Sequence, residues 1–70
     1  MSVVKIIKVL GTSEESFNHA TQEAVREASD TIEDIQGVEV TDQTASVEDG
    51  EITQYKATVE VSFPVKHSEE

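Results

Sequence analysis

The hydrophobic pattern divides the chain into three strand-like segments and one helix-like segment. Residues 3–10, VVKIIKVL, are rich in β-branched side chains and too short for a helix, so they predict a strand. One face of this strand carries Val4, Ile6 and Leu10, and the other carries Val3, Ile7 and Val9. A strand that is apolar on both faces is expected to be covered on both faces. In so short a chain, we expect a neighbouring subunit to provide the second cover.

The next segment predicts a helix whose buried side is mostly alanine. Apolar residues recur at intervals of three and four, at Phe17, Ala20, Ala24, Val25 and Ala28. Small side chains in such a stripe allow a helix to lie close to a sheet. At the helix start, Thr12 with Glu15 fits a capping box, and Ser13 is the rival cap. Ile32 and Ile35 continue the apolar spacing, but the polar residues around them disfavour a helix there.

A long hairpin is predicted after the helix. Val38 and Val40 alternate with polar residues, and Asp49-Gly50 is a strong turn signal. The last strand points Tyr55, Ala57, Val59, Val61, Phe63 and Val65 one way, and Gln54, Lys56, Thr58, Glu60 and Ser62 the other. Pro64 marks either the end of this strand or a sheet edge. The order β-α-β-β predicts an α+β fold in which a three-stranded antiparallel sheet wraps around one helix.

Composition adds oligomerisation to this picture. The chain has 70 residues, 36% of them hydrophobic, a formal net charge of −10 and no cysteine. A single domain over residues 1–66 with a polar tail at 67–70 is therefore marginal without subunit contacts. The negative surface disfavours nucleic-acid and membrane partners. It also fits an acidic, halophilic protein, because high salt screens the self-repulsion.

Targeting and catalytic signals are weak in this sequence. The apolar start is interrupted by Lys5 and Lys8, so we expect no signal peptide and a cytoplasmic protein. His19 lies in one helix row with Ser16 and Glu23, which cannot converge on an oxyanion hole, and His67 falls in the tail. We therefore expect no enzyme. The acids at the hairpin turn, Glu48, Asp49 and Glu51, lack the spacing of a calcium loop, so no metal site is predicted within one chain.

The chain resembles the dodecins, small βαββ flavin-binding proteins that assemble as hollow dodecamers. The resemblance runs from Val3 to Phe63 and rests on GTSEESF, REASDTI, VEVTDQ and YKATVEVSF, in that order. It implies a homododecamer that binds a small molecule. The acidity is similar to that of dodecins from salt-loving archaea.

The ligand contacts implied by the resemblance differ in this chain. In dodecins a tryptophan typically precedes the segment that matches VEV, and two such rings from neighbouring subunits sandwich a stacked pair of flavins. A glutamine after the tyrosine of the last strand hydrogen-bonds the flavin edge. Gly37 and Lys56 stand at these two positions. The resemblance thus assigns the ligand pocket to Gly37, Val38, Asp42, Gln43 and Lys56.

We interpret Gly37 as a pocket position that lacks the side chain of its family counterpart, rather than as a hinge residue that needs a positive φ. Loss of the ring area weakens binding of riboflavin or FMN. Lys56, placed by the resemblance close to the vacancy, favours an anionic ligand. The alternatives are a solvated lysine, or a pair with Asp42 or Glu39 across a subunit boundary.

Three functional hypotheses follow from the sequence. The first is a small-ligand-binding or storage shell in which flavin binding is weakened or lost. The second is a working flavin-sequestering dodecin that uses different contacts. The third is an acidic shell that collects Mg²⁺ or Ca²⁺ ions at its symmetry axes.

Overall fold

The fold consists of one helix packed on one antiparallel sheet. The structure, a computed structural model, describes residues 3–65. Its elements are β1 (Val3–Ser13), α1 (Phe17–Ser29), β2 (Gly37–Glu48) and β3 (Glu51–Val65). The strands lie in the order β1-β3-β2, and both pairings are antiparallel. The β-α-β-β fold is confirmed, whereas the tail at 67–70 lies outside the described residues.

The core lies between the alanine side of α1 and one face of the sheet. Its buried residues are Ala20, Ala24 and Ala28 from the helix, and Ala57, Val59 and Val61 from β3. Gly11 of β1 lies so close to the helix that a Cβ there would be 2.1 Å from the carbonyl oxygen of Ala20. The alanine stripe therefore allows the close approach that the sequence predicted, and Gly11 is the matching gap in the sheet.

The helix begins later than the sequence predicted. Ser16 is the N-cap: its backbone is extended, and its Oγ accepts the N–H of His19 at 3.0 Å. The Thr12–Glu15 capping box and the rival cap Ser13 are both wrong. The reason is tertiary, because pairing of Ser13 with Tyr55 of β3 keeps this stretch in the strand. Local capping signals cannot reveal that pairing.

The turn of the hairpin and the end of β3 agree in part with the sequence prediction. At the turn, Asp49 (φ 53°) and Gly50 (φ 80°) both have left-handed backbones, as a two-residue hairpin loop with right-handed strand twist requires. Pro64 lies one residue before the end of β3, so the strand-end interpretation is confirmed. The alternative of an edge strand is wrong, because β3 is the central strand.

The shape of the chain is long and thin. Its radius of gyration is 14.8 Å and its extents are 58 × 19 × 12 Å, against about 11 Å for the radius of a compact domain of this length. On the side away from α1, β1 exposes Val4 (58%), Ile6 (61%) and Leu10 (58%). One chain therefore covers only one face of β1, and a second cover by another copy remains a prediction. No helix within residues 3–65 has the length and apolarity needed to cross a membrane.

Candidate ligand-binding site

The sheet surface opposite α1, called here the helix-free face, carries most of the polar chemistry of the fold. Residues directly opposite each other on neighbouring strands share a face. From β3 this face presents Lys56, Thr58, Glu60 and Ser62; opposite them stand Thr44, Asp42, Glu39 and Gly37 of β2, and Thr12, Leu10, Lys8 and Ile6 of β1. A row of side chains thus crosses the three strands at each of these positions.

The five residues assigned to the pocket do not share one surface of the chain. Gly37, Asp42 and Lys56 lie on the helix-free face. Val38 is paired with Val61 and Gln43 with Ala57, which places both at register positions on the helix side. A single chain separates the five residues because the strand period of two sends sequence neighbours to opposite faces. Their assignment to one pocket, shared between copies, stays a prediction.

Lys56 is also far from Gly37 within the chain. Gly37 is paired with Ser62, whereas Lys56 is paired with Thr44. Ser62 and Lys56 are six positions apart along β3, which corresponds to roughly 20 Å at about 3.3 Å per residue. Within one chain Lys56 does not bring positive charge close to the vacancy, so that expectation stays a prediction for contacts between copies. Among residues 3–65 Lys56 has no ion pair, and pairing across a subunit boundary stays a prediction.

Gly37 opens β2 in an ordinary strand backbone. Within residues 3–65, Gly50 alone among the glycines has a positive φ, so the hinge interpretation of Gly37 is wrong. The N–H of Gln36 donates to the carbonyl oxygen of Ser62 at 2.9 Å, which fixes the strand start. A Cβ at Gly37 would have one neighbour within 4 Å, the Ser62 Oγ at 3.0 Å. Rotation of that hydroxyl would make room, so the backbone at Gly37 does not require a glycine.

A recess lies beside Gly37 on the helix-free face. It has a volume of about 210 Å³ and is lined by Ile6, Val38, Glu39, Glu60 and Ser62. Glu39 and Glu60 stand directly opposite each other on β2 and β3. We call this cavity the Glu39–Glu60 recess. Sequence reasoning placed Glu60 and Ser62 in the outward polar row of β3 but missed them as site residues, because the strand register that brings them to Gly37 is not visible in the sequence.

Asp42 lies farther along β2, just after an irregularity in the strand pairing. Thr41 is the extra residue between the pairs Val40–Val59 and Asp42–Thr58, and its Oγ1 donates to the carbonyl oxygen of Thr58 at 3.2 Å. Over the part of the chain that the structure describes, no three His, Asp or Glu side chains form a group that could hold a metal ion. A cation site at Asp42 would therefore need ligands from further copies.

The residues around His19, considered above for catalysis, make contacts at the turn between β1 and α1. The Oγ of Ser13 lies 2.7 Å from Nδ1 of His19, and Nε2 of His19 lies 3.4 Å from Oε2 of Glu23. Ser13 is buried, and its Oγ accepts the N–H groups of Glu15 and Ser16 at 2.9 and 3.4 Å. Its oxygen is thus occupied in holding the turn between β1 and α1. Sequence reasoning missed this role of Ser13.

Comparisons with known proteins agree with this architecture. The family model named Dodecin matches residues 3–66. Calcium dodecin of Mycobacterium tuberculosis is 38% identical over 66 residues, which covers 94% of this chain and 93% of that protein. Its crystal structure, described as a calcium-chelating immunodominant antigen with a novel calcium-binding site, matches with a TM-score of 0.81 and covers 99% of both chains.

Two further solved structures show the same fold. A Thermus thermophilus protein matches with a TM-score of 0.92 at 26% identity, covering 97% of this chain and 100% of its own. The dodecin of Streptomyces coelicolor matches with a TM-score of 0.91 at 27% identity, covering 96% of each chain. With the family match over residues 3–66, they show that this chain belongs to the dodecin family.

Proposed function

We propose that this protein is a dodecin-type assembly that binds small ligands and in which binding of riboflavin or FMN is weakened or lost. The observation that carries the proposal is Gly37. The resemblance expects a stacking ring there, the backbone would accept a side chain, and the whole sequence contains no tryptophan. A flavin at this position meets backbone instead of a ring.

The energetic consequence of the missing ring is large. An aromatic pair contributes roughly 0.5–1.5 kcal/mol beyond the area that it buries. Truncation of a buried tryptophan at a binding anchor costs about 2 kcal/mol or more, which is roughly thirtyfold in affinity. The side chains that remain beside Gly37 are Ile6, Ser62 and two carboxylates, and none of them presents a flat aromatic surface.

The proposal includes assembly as a homododecamer. The exposed apolar row of β1 and the elongated shape support it, because a chain of 70 residues with so few buried side chains gains stability by covering that row.

The test is a riboflavin titration followed by flavin fluorescence. The unaltered protein is expected to quench weakly, and Gly37→Trp to bind riboflavin at least about thirtyfold more tightly, with Lys56→Gln added to restore the edge contact. Gly37→Ala is the matched control, because it fills the Cβ position without a ring. Tight, near-complete quenching by the unaltered protein, or protein that purifies yellow, would instead support a working flavin-sequestering dodecin.

A second candidate function is the collection of cations by an acidic shell. It is favoured by the relative that is named calcium dodecin, together with the net charge of −10 of this chain. Asp42 is exposed on the helix-free face, where copies around a symmetry axis would add carboxylates to a shared Mg²⁺ or Ca²⁺ site. Calorimetry with CaCl₂ and MgCl₂ tests this, with Asp42→Asn expected to remove the heat and Glu48→Gln to leave it. Equal heats of binding for Asp42→Asn and Glu48→Gln would mean that the cations bind diffusely over the surface.

A further inference from the structure

The Glu39–Glu60 recess combines two carboxylates with one hydroxyl and an apolar wall. Glu39 and Glu60 occupy directly opposed positions, where like charges destabilise a strand pair. Glu60 is partly buried, and Ile6 and Ser62 line the cavity next to it. The fold thus holds two negative groups side by side in a concave surface, where their field is stronger than on an open one.

Lysines lie near this pair, but within the described residues none of them forms an ion pair with it. Lys8 stands opposite Glu60 on the β1 side, but it does not line the recess, and within the described residues it has no ion pair. Lys56 lies four positions from Glu60, roughly 13 Å along β3. Ser62 donates its hydroxyl to the carbonyl oxygen of Gly37 at 3.5 Å, so neither carboxylate takes that proton. Both carboxylates are free to accept hydrogen bonds from a ligand.

We propose that Glu39 and Glu60 make this recess select organic cations over anionic ligands. The inference rests on the proposed function, which places the ligand site beside Gly37, and it names the ligand class of that site. It is opposite to the expectation from Lys56, which favoured an anion. A protonated nitrogen would lie between the two carboxylates, and the phosphate of a nucleotide-like ligand would be repelled there.

An organic cation fits the recess better than a bare metal ion. The volume of about 210 Å³ exceeds the space of a single ion, and the aliphatic side chain of Ile6 lines it. Two carboxylates and one hydroxyl supply fewer oxygen ligands than the six to eight that Ca²⁺ takes. The apolar wall would contact the carbon skeleton of the ligand, and the carboxylates would bind its charged group.

Three tricyclic probes of different charge provide the test: proflavine as the cation, riboflavin as the neutral compound and FMN as the anion. Each is titrated by fluorescence into the assembled full-length protein at low and high KCl. We expect proflavine to bind at least about tenfold more tightly than FMN at low salt, and the ratio to shrink as salt screens the carboxylates. The double variant E39Q/E60Q is expected to bring the ratio below about threefold.

The matched control is E48Q/E51Q, which removes a second pair of opposed glutamates at the hairpin turn. This control changes the net charge equally, so an unchanged ratio there assigns the preference to the recess and not to the general acidity. A preference for FMN, a ratio that E39Q/E60Q leaves intact, equal effects of both double variants, or no binding of any probe would overturn the inference. If Lys56→Gln abolished FMN binding, a lysine from another copy would reach the recess and the inference would also fail.

The two proposals fail separately. If Gly37→Trp restores riboflavin binding but the charge order of the probes is absent, the loss of flavin binding stands and the cation preference falls. If the unaltered protein binds riboflavin tightly while E39Q/E60Q abolishes a preference for proflavine, the cation preference stands and the proposed loss of flavin binding falls.

Discussion

The two faces of the central strand differ in how completely the chain covers them. On the helix side, Ala57, Val59 and Val61 are 0% exposed. On the helix-free face, the residues between them are partly exposed, and Ile6 on the neighbouring strand is 61% exposed. The chain therefore completes one core by itself and leaves the other face of the same sheet to be covered by other copies and by ligands.

The faces also differ in charge. The helix-side core cluster is entirely alanine and valine. The helix-free face instead carries Lys8, Glu39, Asp42, Lys56 and Glu60 among its register positions. Stability is thus concentrated on one side of β3 and recognition chemistry on the other, so that substitutions on the helix-free face can change binding without disturbing the core.

The same glycine-to-alanine change on the two faces gives the sharpest contrast. On the helix side, Gly11→Ala would place a Cβ 2.1 Å from the Ala20 carbonyl oxygen and 2.8 Å from the Ala24 Cβ, so the helix must move. We expect a loss of at least about 3 kcal/mol in the free energy of unfolding, or failure to fold. Gly37→Ala displaces only the Ser62 hydroxyl and should stay within about 0.5 kcal/mol.

Denaturant unfolding followed by circular dichroism, at one fixed protein concentration, measures both variants. Equal losses for Gly11→Ala and Gly37→Ala would show that the two faces contribute alike and would remove the contrast drawn above.

A charge on the apolar row of β1 should separate folding from assembly. The double variant Val4→Asp and Leu10→Asp leaves the helix-side core untouched, because both side chains lie on the helix-free face. Burying a carboxylate in a subunit contact is strongly unfavourable, so we expect the assembled particle to dissociate into small folded species. Sedimentation velocity in low and high KCl measures this.

The control for this experiment is Val47→Asp, an exposed apolar position near the hairpin turn and outside the row. If the row variant sediments like the unaltered protein, β1 does not face another copy, and the assembly proposal loses its main support.

The fold was largely predictable from the sequence because it depends on local periodicity. The strict alternation of β3 and the three-to-four spacing of α1 are enough to identify core residues such as Ala20 and Val59. The prediction failed at Ser16, where several residues of similar capping propensity stand close together. The choice between them is made by the long-range pairing of Ser13 with Tyr55, and a window of neighbouring residues does not contain that information.

The site was less predictable, because it depends on register between strands. The resemblance pointed to Gly37, and the structure adds that its backbone accepts a side chain. Glu60 was visible only as one outward residue among several, and the pairing that sets it opposite Glu39 spans the hairpin and an irregularity at Thr41. Lys56 was placed near Gly37 by resemblance alone, and the register of a single chain separates them.

The smallest expected effect concerns the N-cap of α1, which lies on the helix side of the sheet. Ser16→Ala removes the Oγ that accepts the N–H of His19, so one donor at the helix start loses its partner. Loss of such a cap costs about 1 kcal/mol of unfolding free energy. Ser29→Ala, the same substitution at the exposed last residue of α1, removes no cap and should be neutral within about 0.5 kcal/mol.

Because the cap acts on the helix side alone, Ser16→Ala should leave probe binding at the Glu39–Glu60 recess unchanged. A parallel loss of binding would mean that the two faces of the sheet are coupled.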